Sequence, residues 1–363
     1  MSSAPQAPAQ KSAALETNEA FYGELRPGVQ DYWRKMAAPR FRVATVLREL
    51  EKESPRTIVD LGCGNGALCE EIHARFPDAV VGRYARATLT LTLACPSGRC
   101  DAWDRVAALS LLADSGDGGA ATELEFARFV TPYGVGGTWT VDLSDLMPLF
   151  VGERRVRAFI DTWVGPGHAQ GNGWLVTASI AFEPGTPEHP TRAVIPLGWT
   201  RVVYGDPARP VAVQLPPRTV NIPAGTRGAR VWVSATGHGQ GNRDNCAEFC
   251  SRVHAVRFDD ARVEHELWRD DCAQNPVNTQ RGNWQPPRAG WCPGDVAPAW
   301  VADLPAPTAG THTVSYEVQD YVNSCRPGAT PCQNCVFRTT CDYNDSSHTE
   351  PYYRLAAYLL LTD

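Results

Sequence analysis

A carboxylate lies between two closely spaced cysteines in the segment NCAEFCSRVH, residues 245–254. If Cys246 and Cys250 form a disulfide, they close a five-residue loop that holds Glu248 at its centre and leaves it little freedom. A loop this short stabilises a fold weakly, because the entropy that a disulfide removes from the unfolded chain grows with loop length. The spacing therefore favours a disulfide whose use is to orient a functional side chain.

A second carboxylate follows another cysteine pair, in CPSGRCDAWDR at residues 95–105. The two cysteines flank a tight Pro-Ser-Gly turn, and Trp103, Asp104 and Arg105 come soon after it. An aspartate between an indole and a guanidinium has its pKa pulled in opposite directions, upward by apolar contact and downward by the cation. Asp104 is therefore a candidate acid or base.

Further along, FIDTWVG contributes Asp161 and Trp163, which would share one face of a continuous strand because side chains at i and i+2 point the same way. The segment RDDCAQNPVNTQRGNWQPPRAGWCPG carries Trp284, Arg288 and Trp291 on a long polar loop between two cysteines. Arginine can stabilise charge that develops on an amide oxygen. This combination of residue types suits carbohydrate or amide chemistry.

The elements that must position these residues are mainly strands. From about residue 87 the apolar residues alternate with a period of two, and clusters of Gly, Pro, Asn and Asp separate the runs. The runs are ATLTLTLA, RVRAFIDTWVG, GWLVTASIAF, ARVWVSATG, THTVSYEVQ and YYRLAAYLLL. This pattern predicts an antiparallel β-sandwich or jelly roll with no long helix.

The preceding region differs. Residues 18–82 have a helix, helix, strand, helix, strand pattern, and TIVDLGCGNG places Asp60, Gly62, Gly64 and Gly66 where a strand would turn into a helix. The motif resembles motif I of class I S-adenosylmethionine-dependent methyltransferases, whose glycines let backbone approach a ligand. Arg83 and Tyr84 stand where that family usually places an aliphatic residue and an aspartate, and the rest of its sheet is missing. We interpret the segment as a truncated, non-catalytic α/β remnant.

The β-rich region resembles the peptide-N-glycosidase F family over about residues 87–363. The motifs CDAWDR, DTWVG, NCAEFCSRVH, NPVNTQRGNW and RAGWCPG occur in the family's order and at similar separations. The resemblance implies two side-by-side eight-stranded jelly rolls. It also implies an amidohydrolase that cleaves the bond between an asparagine side chain and the first N-acetylglucosamine of an N-glycan, leaving aspartate and a glycosylamine.

The resemblance also assigns roles by position. Asp104 matches the family's essential aspartate, Glu248 its second carboxylate and Asp161 a third acidic residue. The residues that it places in the substrate cleft are Trp103, Arg105, Trp163, Arg288 and Trp291. The disulfides that it implies are Cys95–Cys100, Cys246–Cys250 and Cys272–Cys292.

The chain departs from the family at three places. Position 161 is aspartate where the family has glutamate, and Phe249 replaces a tryptophan. The strands that precede the first cysteine pair in the family are absent, so the first jelly roll is expected to lack an edge strand. These differences leave two alternatives open, a methyltransferase that binds S-adenosylmethionine through Asp60 and a glycan-binding jelly-roll protein without catalysis.

We divide the chain into a disordered leader (1–17), a methyltransferase-like segment (18–86) and two jelly rolls (87–187 and 188–363). The fold class is therefore mainly β, with a short partial α/β segment at the N-terminus. The substrate would be an N-glycosylated protein or glycopeptide, and the enzyme a monomer with neither a metal nor another cofactor. The net charge of −6 gives no reason to expect nucleic acid, and no apolar run is long enough to span a bilayer.

Cysteine usage predicts an oxidising compartment, secreted or periplasmic, although the polar opening MSSAPQAPAQKSAAL does not have the pattern of a secretory signal. Four further cysteines lie in CRPGATPCQNCVFRTTC, namely Cys325, Cys332, Cys335 and Cys341. Two extra disulfides or part of a zinc site would each fit that spacing. His238 and His254 lie near the proposed site in sequence, and we interpret both as structural histidines.

Overall fold

A computed structural model describes the fold. It describes residues 84–113, 121–150, 154–239, 246–323 and 350–362, together with short stretches at 47–48, 51–52, 57–59 and 80–82 and residue 75. The chain divides into two compact units, Met1–Gly82 and Arg83–Asp363. The four cysteines at 325–341 lie outside the described residues, so their pairing stays a prediction.

The first unit contains two short strands, β1 (Thr57–Val59) and β2 (Val80–Gly82), which pair in parallel. A parallel pair needs a crossover connection, which agrees with the predicted strand–helix–strand order. The aspartate and glycines of the methyltransferase-like motif, residues 60–66, lie outside the described residues. That resemblance stays a prediction.

Two sheets form the first sandwich of the second unit. Its strands are β3 (Tyr84–Ala94), β4 (Val106–Ala113), β5 (Thr122–Val130), β6 (Gly137–Asp142), β7 (Arg155–Ile160) and β8 (Leu175–Pro184). One sheet has the order β6-β3-β8, and the other has the order β5-β4-β7 with a further strand beside β5. All these pairs are antiparallel.

The alternation within β3 explains this core. Leu89, Leu91 and Leu93 are fully buried, while the threonines between them are only partly buried. The sandwich ends at β7 and β8, whose side chains are mostly exposed, including Val156 at 55% and Leu175 at 57%. Among the described residues the two sheets of this sandwich hold four and three strands.

The second sandwich is built from the rest of the chain. Its strands are β9 (Thr191–Pro196), β10 (Arg201–Val203), β11 (Arg218–Ile222), β12 (Gly228–His238), β13 (Arg252–Phe258), β14 (Ala261–Leu267), β16 (Trp300–Leu304), β17 (Gly310–Val318) and β18 (Tyr352–Thr362). The orders are β10-β18-β12-β16, with β9 also on β18, and β11-β17-β13-β14. The predicted division near residue 187 falls between β8 and β9.

Strand β18 is apolar on both faces because each face meets a different core. Leu355, Leu359 and their alternate neighbours pack inside the second sandwich, whereas Tyr358 and Leu360 pack into the core of the first. This explains why YYRLAAYLLL is almost continuously apolar. The five-stranded sheet therefore joins the two sandwiches.

One strand crosses between the sandwiches. β15 (Asp295–Ala297) follows the RAGWCPG motif and pairs antiparallel with β5 of the first sandwich. The mainly antiparallel β fold is confirmed, and the helical structure among the described residues of this unit is one α-helical turn, Val211–Gln214, besides three 3-10 segments. Among the described residues, none of the helices is long and apolar enough to cross a membrane.

Candidate active site

The loop between β3 and β4 positions Asp104. The predicted disulfide Cys95–Cys100 is present and closes the turn that precedes it. Asp101 then anchors the loop, because its buried carboxylate accepts hydrogen bonds from the Trp103 amide at 3.0 Å and the Thr162 hydroxyl at 2.6 Å. These bonds and the adjacent arginine lower the pKa of Asp101 against the opposing effect of burial, so the anchor is a fixed negative charge.

Arg105 belongs to the same anchor. Its Nε donates to Asp101 Oδ2 at 2.6 Å, and its guanidinium lies 3.6 Å from the ring centroid of Trp163. The guanidinium is 7% exposed, whereas Trp163 is 68% exposed. Arg105 therefore stabilises the wall of the cleft and supports an exposed indole, and the cation–π contact fixes where that indole lies.

The side chain of Asp104 is itself largely removed from water. Burial raises its pKa, and a hydrogen bond from Tyr133 and the positive charge of Arg288 oppose that rise. Tyr133 comes from the loop after β5, and its carbonyl and amide are tied to Arg281 and Gln280 of the long loop. The backbone amide of Asp104 and the charge of Arg105 also favour the ionised form, so Asp104 is buried among donors and cations that oppose the effect of burial.

Glu248 lies in the second disulfide loop, between β12 and β13. The predicted disulfide Cys246–Cys250 is present, and the loop lies against β12 so closely that a Cβ at Gly237 would come within 1.5 Å of the Ala247 carbonyl oxygen. Only glycine fits at this point of β12. The Ala289 amide also donates to the Glu248 carbonyl at 2.9 Å, so the long loop fixes the backbone from the other side.

The carboxylate of Glu248 accepts a hydrogen bond from a backbone amide and lies near a cation. The Gly239 amide donates to Oε2 at 3.0 Å, and Arg288 Nε lies 3.4 Å from Oε1. Burial nevertheless raises the pKa of Glu248 to about 8, with the charge of Asp104 adding to the rise. At neutral pH Glu248 is therefore mostly protonated.

Arg288 is held by the loop that carries it. Its two terminal nitrogens donate to the carbonyls of Asn283 at 2.7 Å and Pro286 at 2.8 Å. Its Cζ lies 5.0 Å from the ring of Trp291, which is itself buried. The predicted disulfide Cys272–Cys292 closes this loop. Each terminal nitrogen of Arg288 is thus tied to a loop carbonyl, and the residue acts on the site by its charge.

The structure brings Asp104, Glu248, Arg288 and Trp291 together, although they come from three separate loops. The negative charge of Asp104 raises the pKa of Glu248, so the two carboxyl groups do not both ionise readily. The environment of Glu248 favours the protonated acid, and the environment of Asp104 can hold the ionised base. This is the arrangement that general acid–base catalysis requires.

The prediction that Asp161 and Trp163 share a strand face is wrong. β7 ends at Ile160, and the Thr162 amide turns back to the Ile160 carbonyl at 2.8 Å. Asp161 is exposed and lines a groove with Arg201 and the ring of Tyr352. No hydrogen bond or ion pair between described residues joins its carboxylate to Asp104 or Glu248.

The remaining predicted residues form the rim. Trp103 is 48% exposed and Phe249 51%, and the Arg288 guanidinium lies 5.8 Å from the phenylalanine ring. Trp284 is buried and therefore structural. The sequence reasoning missed Asp101 and Tyr133. Asp101 stands three positions before Asp104 in CDAWDR, which could have suggested a partner for Arg105, whereas Tyr133 in TPYG carries no such signal.

The sequence of this chain is similar to that of known proteins. Residues 209–336 match the family model described as peptide-N-glycosidase F, C terminal. The peptide-N(4)-(N-acetyl-β-D-glucosaminyl)asparagine amidase F of Elizabethkingia miricola is 31% identical over 250 residues, which cover 63% of this chain and 66% of that protein. The chain thus spans just under two thirds of the length of that relative.

Solved structures agree on the fold. The structure of PNGase F, a glycosylasparaginase from Flavobacterium meningosepticum, has a TM-score of 0.60 at 23% identity and covers 77% of this chain and 85% of that chain. A structure of PNGF-II has a TM-score of 0.56 at 16% identity, over 77% of this chain and 57% of that chain. At these identities the structural likeness shows the jelly-roll fold alone, whereas the sequence match shows homology to peptide-N-glycosidase F.

Proposed function

We propose that this homologue of peptide-N-glycosidase F is an amidohydrolase acting on the bond between asparagine and N-acetylglucosamine in N-glycoproteins and glycopeptides. The observation that carries the proposal is the pairing of Asp104 with Glu248 across two sandwiches. The burial-raised pKa of Glu248, about 8, supports an acid opposite a hydrogen-bonded aspartate. The homologue from Elizabethkingia miricola is a peptide-N(4)-(N-acetyl-β-D-glucosaminyl)asparagine amidase.

The reaction follows from the two protonation states. Asp104, held by Tyr133, removes a proton from a water molecule, whose oxygen attacks the side-chain carbonyl carbon of the substrate asparagine. The carbon–nitrogen bond then breaks, and the proton of Glu248 goes to the departing nitrogen. The products are aspartate and a glycosylamine. Arg288 stabilises the site by its positive charge while Asp104 is ionised.

The exposed indoles on the rim suit the sugar. Trp103 and Trp163 are about half and two-thirds exposed and belong to the loops that carry Asp104 and Asp161. Aromatic rings offer large, rigid contact area to a ligand. Asp161 contributes a polar group beside them. We assign these three residues to binding of the glycan.

The site of action is an oxidising compartment, and the protein acts there as a monomer. Three disulfides lie among the described residues, two of them beside the proposed catalytic carboxylates. Disulfides persist in extracellular and periplasmic proteins and are rare in reducing cytosol. Reduction of the oxidised protein is therefore expected to abolish activity. Size-exclusion chromatography with light scattering tests whether the protein is monomeric.

Hydrolysis of a denatured N-glycoprotein in heavy-oxygen water tests the function. The oxidised protein should release the glycan and leave aspartate that carries one oxygen atom from the solvent, seen by peptide mass spectrometry. Asp104→Asn should leave the glycan in place. If the wild-type protein binds the glycopeptide but never converts asparagine to aspartate, the chain is a glycan-binding protein and the proposal fails.

A further inference from the structure

A chain of buried hydrogen bonds runs from the interface of the two sandwiches to Glu248. It begins at Arg128 on β5, whose side chain is buried and forms an ion pair with Glu125 at 2.7 Å. Arg128 Nη1 crosses to β12 and donates to the Thr236 hydroxyl at 3.1 Å. Its charge therefore lies in the second sandwich although its backbone belongs to the first.

The hydroxyl of Thr236 also forms a hydrogen bond with His238. The two residues are alternate positions of β12, and Thr236 Oγ1 lies 2.8 Å from His238 Nε2. The hydroxyl oxygen accepts from the guanidinium of Arg128, and among the described residues His238 Nε2 is the one other hydrogen-bond partner of this hydroxyl, so we place the hydroxyl proton in the bond to the imidazole. His238 Nε2 is then the acceptor, and the ring proton is on Nδ1.

The ring of His238 is fixed on both faces. It stacks on Trp291 at 5.3 Å between centroids and contacts Tyr352 at 5.2 Å. Burial, together with the positive charges of Arg128, Arg354 and Arg201, holds the pKa of His238 well below its usual range. The imidazole is therefore neutral, which its acceptor role needs.

His238 immediately precedes the residue that holds the carboxyl group. The Gly239 amide donates to Glu248 Oε2 at 3.0 Å, and glycine has no side chain with which to fix its own backbone. His238, which precedes this donor in the chain, is held by its backbone pairing with Tyr352 at the end of β12 and by its ring. The other groups that face Glu248 are Asp104 and Arg288, with the neutral phenols of Tyr133 and Tyr352 farther out.

We propose that Thr236 and His238 are positioning residues: Arg128 orients the Thr236 hydroxyl, the hydroxyl fixes the His238 ring, and the ring holds the Gly239 amide against Glu248. This relay makes the proton of the candidate acid depend on how the two sandwiches are joined. The kinetic part of the inference rests on the proposed amidase function. The hydrogen-bond pattern does not.

Three substitutions on two positions of β12 test the relay. Thr236→Val keeps the shape of the side chain and removes the hydroxyl, and Thr236→Ser restores it. Ser234→Ala is the matched control, because Ser234 lies on the same face, is equally buried, and its hydroxyl has no partner among the described residues. Thermal unfolding of each variant establishes that it folds.

The expected result is a selective loss. Thr236→Val should lower kcat on a glycopeptide roughly 10- to 100-fold with little change in KM, as a misplaced catalytic group does. The pH at which activity falls should move upward, because a weaker amide bond leaves the acid form of Glu248 more favoured. Thr236→Ser and Ser234→Ala should behave as wild type. If Thr236→Val matches Ser234→Ala, the relay has no catalytic role.

Nitrogen NMR of the histidine rings tests the hydrogen bonds independently of activity. The signals of His238, identified by their loss in His238→Gln, should show a neutral ring with its proton on Nδ1, and that pattern should change in Thr236→Val. A proton on Nε2 in the wild-type protein would overturn the relay even if the amidase reaction occurs. The expected tautomer in a protein without amidase activity would instead reject the proposed function and keep the structural relay.

Discussion

The two loops that carry the candidate carboxylates are built in different ways. The Asp104 loop is anchored by a buried ion pair, Asp101 with Arg105, and its disulfide lies before the functional residue. The Glu248 loop contains its carboxylate within the disulfide and is held by backbone contacts from β12 and the long loop. Both carboxyl groups are buried, but the first receives a hydrogen bond from the Tyr133 phenol and the second is close to the charge of the first, which adds to the rise in its pKa. Two carboxyl groups can therefore take different roles because their loops hold them in different environments.

Removal of either carboxyl group should have the largest effect. Asp104→Asn and Glu248→Gln are each expected to lower kcat about 100- to 10,000-fold, because each removes one partner of the proton transfer. The double variant should be little worse than either single one, since the two act as a unit. Single-turnover hydrolysis of a glycopeptide measures this. Independent, additive losses would contradict a shared mechanism.

The stability of the protein should depend on pH through Glu248. A buried acid whose pKa is raised in the folded state stabilises the protein fully below its unfolded pKa and loses that contribution as pH rises toward about 8. Glu248→Gln removes this dependence. The free energy of unfolding of the variant, relative to that of the wild type, should therefore increase from acid pH to about pH 8. Urea unfolding at several pH values checks this. A wild type that gains stability over this range relative to the variant would contradict a raised pKa.

The loss of the arginine charge should be the next largest effect. Arg288→Gln removes the cation that opposes the rise in the pKa of both carboxyl groups. Asp104 should then ionise less readily, and kcat/KM near neutral pH should fall roughly 10- to 100-fold. The acid side of the pH profile should move to higher pH. Arg269→Gln, on the same long loop but paired with Asp271 and Asp295, is a control that should leave the profile in place.

The disulfides should sharpen the comparison further. Replacing both Cys246 and Cys250 by serine should cost only ~2 kcal/mol of stability because the loop is short, against ~3 kcal/mol for the longer loop of Cys272–Cys292. Activity should fall more in the first case, because Glu248 loses its fixed direction. Denaturant unfolding and kcat, measured on both double variants, check the order. If the two double variants lose the same activity for each kcal/mol of stability lost, the Cys246–Cys250 disulfide does not orient Glu248.

The rim should give the smallest effect. Trp163→Ala removes an exposed indole that covers Arg105 at 3.6 Å. We expect KM for a glycopeptide to rise severalfold and kcat to change little, since an exposed cation–π contact contributes about 0.5–1 kcal/mol. Val156→Ala, exposed on β7 away from the loops, is the control. A fall in kcat without a change in KM would place Trp163 in the chemistry.

Local patterns predicted the parts of the molecule that depend on neighbouring residues. The alternation in β3 and the apolar run in β18 marked strands, and the cysteine spacings around Glu248 and Asp104 marked loops that orient a side chain. The family resemblance supplied the disulfide pairs. The alternation and the two short cysteine spacings each lie within about ten residues of the feature that they predict, which is the range over which backbone periodicity and short loops act.

Features that depend on distant contacts could not be predicted. Nothing in TPYG indicates that Tyr133 reaches Asp104, and nothing in the three residues of β15 indicates that they pair across to β5. The prediction that Asp161 lies on a strand face was wrong because the apolar alternation in the sequence continues past Ile160, whereas the chain of the folded protein turns there. The Thr162 hydroxyl donates to the Asp101 carboxylate at 2.6 Å. Tertiary hydrogen bonds here override the local pattern.

The pH dependence of kcat/KM on an N-glycopeptide tests the central claim most directly. If Asp104 acts as the base and Glu248 as the acid, activity rises as Asp104 ionises and falls as Glu248 loses its proton, with the upper limb near the pKa of about 8. The wild-type protein should show both limbs, and Arg288→Gln should move the lower one upward. A rate that stays level from neutral to strongly alkaline pH would contradict a protonated Glu248 and with it the division of roles between the two loops.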